Sequence, residues 1–212
     1  MVRYAIMRLV QFIETSKLDG FRTAIHDWFY INRTAIVVEK DLGALSSIKN
    51  NLANLNVELK EISEDIFYSL RTDYALKNRY LKAKQYLGKG YRAFAIIRAN
   101  KIIGDIWYAI ITPSQTHPDL KWLGIICNNN DIYMFDMYIH PKERGKFLAV
   151  SLQYEALQKL REKGFQKAYG FFWLDNVPAS WTHRTLKFKE IKKVEMLRFL
   201  TFRRKNREIP LL

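Results

Sequence analysis

Cysteine is almost absent: Cys127 stands alone among 212 residues. No disulfide can form within the chain, and a reduced, cytoplasmic setting is the expectation. Histidine is sparse and scattered, at His26, His117, His140 and His183, without the close His and Cys spacings that a zinc site needs, so no metal is expected. A long apolar run is missing as well. The richest stretch, AFAIIRANKIIGDIWYAII, is broken by Arg98, Asn100, Lys101 and Asp105, which excludes a comfortable transmembrane helix. The opening MVRYAIMRLVQFIE has no uninterrupted apolar core followed by a small-residue cleavage site, so it does not read as a secretory signal. Internal repeats and low-complexity tracts are lacking too.

Acidic residues are also in short supply. The chain has 35 Lys and Arg against 21 Asp and Glu, a net charge of +14. Half of that excess lies between Trp181 and Leu212, where ten basic residues face three acidic ones. Such a surface favours anionic partners: nucleic acid, an acidic carrier protein, phospholipid headgroups or a phosphorylated cofactor. Charge alone does not choose among them.

What is abundant is apolar and aromatic side chain, 49% and 14% of the residues, enough to bury the core of one domain of ordinary size. RLVQFIETS and GFRTAIHDWFY carry helical spacing, TAIVVEK is a short β-branched run, and LGALSSIKNNLANL is again helical in pattern. These first residues, 1–56, are expected to form an N-terminal layer packed on a domain spanning 57–212. From Val57 the order is clearer. VELKEIS alternates as a strand, and EDIFYSLRTDYALKNRYLKAKQYL fits one or two helices ending at Gly88 and Gly90. YRAFAIIRANKIIGDIWYAII reads as a tight hairpin, and LKWLGIIC as an edge strand. DIYMFDMYIHP is a strand ended by Pro141, KFLAVSLQYEALQKLREKG a helix stopped by Gly164, and FQKAYGFFWLD a strand. NVPASWTHRTLKF is a short helix and EIKKVEMLRFLTF a last extended segment. The expected fold class is α+β (α/β), a mixed central sheet flanked by helices.

Two stretches carry chemistry. In HPKERGKFLAVSL a strand ends at Pro141, a basic turn holds Gly145, and a helix begins near Lys146. Unpaired N–H groups at such a helix start, with Arg144 and Lys146 beside them, suit a phosphate. In DNVPASWTHRTLKF, Asn176 is followed by Ala179, His183, Leu186 and Phe188 at offsets of three, seven, ten and twelve.

Here the chain resembles the GNAT superfamily of N-acetyltransferases. That family's second motif runs Asn, two residues, Ala, three residues, Tyr, two residues, Leu-Gly-Phe. Asn176, Ala179, Leu186 and Phe188 keep it, while His183 stands for the tyrosine and Lys187 for the glycine. The first motif, a Val-x-Pro and then Arg or Gln, two residues, Gly, one residue, Gly or Ala, is similar to Ile139-His140-Pro141 and Arg144 to Ala149, with Phe147 where a glycine is usual. The resemblance spans roughly 130 residues, Val57 to Phe188.

It implies a GNAT-like sheet and transfer of an acyl group from acetyl-CoA or another acyl-CoA to a primary amine. Amides of Met137 and Ile139 would meet the thioester and pantetheine arm. Those of Gly145, Lys146, Phe147, Leu148 and Ala149, with Arg144 and Asn176 nearby, would meet the pyrophosphate. His183 becomes the candidate acid beside the leaving sulfur, and Asp136 the candidate base. On the residues themselves, Asn176 fits an N-cap two positions before Pro178, and Asp136 fits a partner for nearby Arg or Lys. Two other readings stand beside this one. One is an N-acyltransferase taking a long chain from an acidic acyl carrier protein, as in the N-acyl amino acid synthase branch. The other is a non-catalytic basic module binding nucleic acid through FRRKNR. The acceptor is left open, and residues 1–56 could complete its pocket or form a homodimer contact.

Overall fold

The computed structural model describes residues 30–47, 55–69, 77–112, 116–199, 202–203 and 207–209, with Leu52 and isolated positions before residue 30. Among those isolated positions Leu9, Val10, Phe12 and Ile13 are helical. Ser16, Lys17, Phe21 and Ile25 are helical too, while the other positions of the two helices expected before residue 30, and residues 204–206 of the basic tail, lie outside the described residues.

The strands are β1 (Tyr30–Asp41), β2 (Glu58–Ile62), β3 (Arg92–Arg98), β4 (Lys101–Ile110), β5 (Asp131–Ile139), β6 (Lys167–Trp173), β7 (Lys189–Phe199), β8 (Phe202–Arg203) and β9 (Arg207–Ile209). The helices are α1 (Glu64–Ser69), α2 (Lys77–Leu87), α3 (Pro118–Leu123), α4 (Leu148–Glu162) and α5 (Val177–Thr185). One sheet runs in the order β2-β3-β4-β5-β6-β1-β7-β8, with β9 also on β7. Every pairing is antiparallel except β5 with β6, which α4 connects. A mixed sheet flanked by helices is thus what the sequence predicts.

TAIVVEK is more than a short strand in an outer layer. β1 has twelve residues and lies inside the sheet, antiparallel to β6 on one side and β7 on the other. Its side chains alternate between two cores: Ile36 and Val38 pack with Leu148, Leu152, Leu157 and Leu160 of α4, while Ala35 and Val37 join Phe67 of α1, Ala83 of α2 and Leu123 of α3. A strand apolar on both faces is what a sheet covered on both faces requires.

Two local expectations are corrected. LKWLGIIC is not an edge strand: Pro118–Leu123 is helix α3, ended by Gly124 at φ +60°, and residues 125–128 are irregular. Pro118 at the first turn and the ring nitrogen of His117, accepting from the Asp119 N–H at 3.2 Å, start the helix. Residues 42–47 of LGALSSIK form a turn and irregular chain rather than a helix. The hairpin is as read, with Ala99 and Asn100 both at positive φ (+46° and +57°), the pair of left-handed residues that a two-residue loop between twisted strands favours.

Candidate functional site

β5 and β6 are paired only at Asp131, Ile132 and Tyr133 against Lys167, Ala168 and Tyr169. Past Tyr133 the two strands diverge, and the β6-facing edge of β5 has no ladder partner. Gly170 marks the last close approach, since a Cβ there would sit 3.1 Å from the Met134 carbonyl oxygen. The cause is a bulge. The β4–β5 register slips between Asp105 and Trp107, and Asp136 adopts φ +48°, which bends and twists β5 away from its neighbour. The opening leads into a cavity of about 1120 Å³, lined along β5 from Phe135 to Ile139. It is large enough for a substantial ligand.

One end of the cavity is built mainly from backbone. After β5, His140 caps a short 3-10 turn, Pro141–Glu143, and the chain reaches α4 through Gly145 (φ +83°) and Phe147 (φ +59°). Phe147 precedes the first turn of α4 and makes no side-chain cap, so its own side chain fills none of the opening N–H groups of this fifteen-residue helix. A Cβ on Gly145 would meet nothing within 4 Å. The loop therefore presents amides and open space together, the arrangement that suits a phosphate. Arg144 donates from Nε to the Ile139 carbonyl at 3.2 Å, and Lys146 pairs with Glu143 at 3.1 Å. Met137, Ile139, Arg144, Gly145, Phe147, Leu148, Ala149 and Asn176 all line the cavity. Asn176 caps α5, its Oδ1 accepting from the Ala179 N–H at 3.2 Å.

The other end is built from side chains of α2 and α3. Arg79, buried, donates from Nη1 to both Asp136 oxygens at 3.1 Å and from Nη2 to Asp105. Lys82 Nζ lies 2.9 Å from Asp136 Oδ2, and the Tyr86 hydroxyl donates to that same oxygen at 2.9 Å. Although burial works against it, the combined pull of Arg79, Lys82 and Tyr86 holds the Asp136 carboxyl well below the usual carboxylate range. Burial pushes Asp105 up to about 6 against the pull of Arg79. Asp136 is thus a poor proton acceptor. The carboxylate expected as a base instead clamps its own bulge to α2.

No protein-family model matches the chain, and no curated protein does. Solved structures do. A GCN5-related glucosamine N-acetyltransferase region of a fungal multi-domain GH3 β-N-acetylglucosaminidase superposes with TM-score 0.59 at 14% identity, over 88% of this chain and 23% of that one. A tandem GNAT protein from the clavulanic acid biosynthesis pathway gives 0.53 at 14%, over 86% and 57%. A GCN5-related N-acetyltransferase from Kribbella flavida gives 0.51 at 10%, over 85% and 63%. The chain has the GNAT fold. It spans less than two thirds of the length of each of these proteins.

Within the GNAT fold, the two departures from the motif glycines are absorbed by the backbone. Phe147 and Lys187 both sit in the left-handed region, at φ +59° and +55°. The chain keeps the conformation that glycine adopts without strain and bears a penalty of about 1–2 kcal/mol at each site. The Phe147 ring turns outward, 59% exposed, edge-on to Trp181 at 5.2 Å.

His183 lines the cavity with both of its ring nitrogens engaged by protein. It is buried between Phe172 and Phe188, its Nδ1 is 2.8 Å from the Ala179 carbonyl oxygen, and its Nε2 is 3.4 Å from Gln153 Nε2. Nδ1 therefore carries the hydrogen, Nε2 accepts from Gln153, and burial lowers the ring's pKa so that it stays neutral. The candidate acid is a packed helix histidine, and the physical reason is that both ring nitrogens are already engaged.

Sequence reasoning missed Arg79, Lys82, Tyr86 and His117. A signal existed for the first three: they recur at helical spacing on one face of α2. Nothing in the sequence showed that this face meets β5. Among the described residues no group of three or more His, Cys, Asp or Glu side chains could hold a metal ion, and no helix is long and apolar enough to cross a membrane.

Proposed function

We propose that this protein is an N-acyltransferase that joins an acyl group from acyl-CoA to a primary amine in the cleft between β5 and β6. The observation that carries the reading is the split of those strands beside the uncapped start of α4. It places an unpaired strand edge and a fan of helix N–H groups on one continuous cavity. The residues fit the donor. Amides from Gly145 to Ala149, with Arg144, would receive the pyrophosphate, and the free edge of β5 at Met137 and Ile139 would align the pantetheine arm as an added strand. Acyl-CoA supplies an activated thioester carbon and a thiolate leaving group. The chain's own part is to orient that carbon, exclude water and admit the amine from the α2 side. Asp136 keeps the bulge bent, and His183 with Gln153 packs α5 against α4.

A second reading, in which an acidic acyl carrier protein delivers the donor, is favoured by one feature. Phe147 and Trp181, 59% and 48% exposed, line the cavity together with Arg144.

Thermal melting of the purified chain with coenzyme A, acetyl-CoA, a long-chain acyl-CoA and an acyl carrier protein separates these. A ligand at a hundred times its Kd stabilises the folded state by about 2.7 kcal/mol. A raised midpoint with acetyl-CoA supports coenzyme A as the carrier, and a rise only with the carrier protein supports the second reading. No rise with any of the four sinks both.

A further inference from the structure

The side-chain end of the cavity offers hydrogen-bond donors, while its carboxylate oxygens are already engaged. Asp136 accepts from Arg79, Lys82 and Tyr86. Asp119 accepts from the Trp122 indole N–H at 2.9 Å and from the Tyr133 hydroxyl at 3.0 Å. Among the described residues, an ammonium group arriving here finds Asp136 and Asp119 already bonded to protein.

His117 is the group that faces the cavity among aromatic rings. It packs 4.3 Å from Phe135, 4.9 Å from Tyr133 and 5.0 Å from Tyr91, measured between ring centroids. Its Nδ1 accepts from the Asp119 N–H, so in the neutral ring Nε2 carries the hydrogen. Burial lowers its pKa, the Asp119 carboxylate opposing and the charge of Lys89 adding to that shift, which favours the neutral ring. Lys82, Gln85 and Tyr86 form one stripe of α2, and Lys89, in the turn that follows the helix, lines the same wall of the cavity. Tyr86, Phe135, Phe171 and Trp173 supply the apolar surface between the wall and β6.

We propose that the acceptor is an amine that also carries a carboxylate, an amino acid with a large apolar side chain. Its carboxylate is received by His117 Nε2–H and the Lys89 ammonium, and its side chain lies on the aromatic rings. This inference rests on the acyltransferase reading. In the reaction the amine nitrogen bonds to the acyl carbon and the C–S bond breaks with its electron pair on sulfur. The nitrogen's proton passes to the thiolate through solvent, giving an amide and a free thiol. A cation-bearing wall suits that step twice, because it binds the carboxylate and disfavours the ammonium form of the incoming amine.

The test uses the full chain with acetyl-CoA and matched amines. L-Phenylalanine and 2-phenylethylamine differ by the carboxylate, glucosamine 6-phosphate and glucosamine by a phosphate, and spermidine carries only positive charge. Coenzyme A and acetyl-CoA affinity are measured first by calorimetry, and absence of both overturns the acyl-CoA reading on which this one rests. Amine affinity is then measured with coenzyme A bound, and turnover with acetyl-CoA by thiol release. L-Phenylalanine should bind at least tenfold more tightly than 2-phenylethylamine. Lys89→Gln and His117→Phe should each remove most of that difference while leaving acetyl-CoA affinity unchanged. Equal binding of the matched pair overturns the proposal, as does a preference for spermidine. A preference for glucosamine 6-phosphate with none for L-phenylalanine overturns the carboxylate in favour of a phosphate.

Discussion

The two ends of the cavity are made of different material. The α4 end is backbone: a loop through two left-handed residues, a helix start without a side-chain cap, and a strand edge without a ladder partner. The α2 end is side chain: a buried guanidinium between two carboxylates, a lysine, a tyrosine and a histidine among rings. Backbone groups present the same donors whatever side chain stands there, so the first end tolerates phenylalanine at Phe147, where the motif has glycine. The second end depends on each residue's identity, because a buried charge is stable only with its partners in place.

The largest break in that comparison is expected from Arg79→Ala. It leaves the buried Asp105 and the half-buried Asp136 without their guanidinium, a loss of about 3–5 kcal/mol for the broken buried pair with Asp105. Chemical denaturation should show this loss, and a stability within 1 kcal/mol of the parent would mean that the clamp does not hold the bulge. Gly145→Val acts at the opposite end. It puts a β-branched residue at φ +83° and fills open space in the loop, so coenzyme A affinity should fall at least tenfold, or about 1.4 kcal/mol. Calorimetry at 25 °C measures it, and unchanged affinity would remove the loop from the donor site.

Lys187→Gly sharpens the contrast in the other direction. Relieving an exposed left-handed lysine should stabilise the fold by about 0.5–1 kcal/mol, after the greater freedom of glycine in the unfolded chain is subtracted. A lower denaturation midpoint would show that Lys187 makes a compensating contact. The smallest effect is a pH dependence. The buried His183 has its pKa lowered, so below about pH 6.5 the unfolded chain binds a proton that the folded chain does not, and stability is lost as pH falls. Asp105, with its pKa raised to about 6, contributes in the opposite sense between about pH 4 and 6. Comparing the parent with His183→Phe at the same pH values cancels that contribution. The drop in melting midpoint from pH 7.5 to 5.5 should be smaller in the variant, and an equal drop would mean that His183 protonates freely in the folded state.

Much of the α4 end was legible in HPKERGKFLAVSL, because a strand stop, a glycine turn and an apolar helix are consecutive in the chain. Asn176 was legible in the same way: its cap and Pro178 are neighbours. The α2 end was not. Arg79 meets Asp136 across fifty-seven residues of sequence, and no local pattern marks such a pair. At His183 only the motif offset was legible, and its hydrogen bonds, to Ala179 and Gln153, became visible only with α4 and α5 packed. LKWLGIIC was misread because a short apolar run fits a buried strand and a one-turn helix equally, and the cap at His117 decided it.

Sequence by itself determined the mixed α and β character, the order of the hairpin, β5, α4, β6 and α5, and the place of the phosphate-suited loop, since periodicity, turns and caps act between near neighbours. Tertiary structure alone decided that β1 lies inside the sheet, that a clamp from α2 bends β5 away from β6, and which carboxylates and histidines are already engaged. Those outcomes depend on contacts between distant segments, where burial and charge pairing set the state of each group.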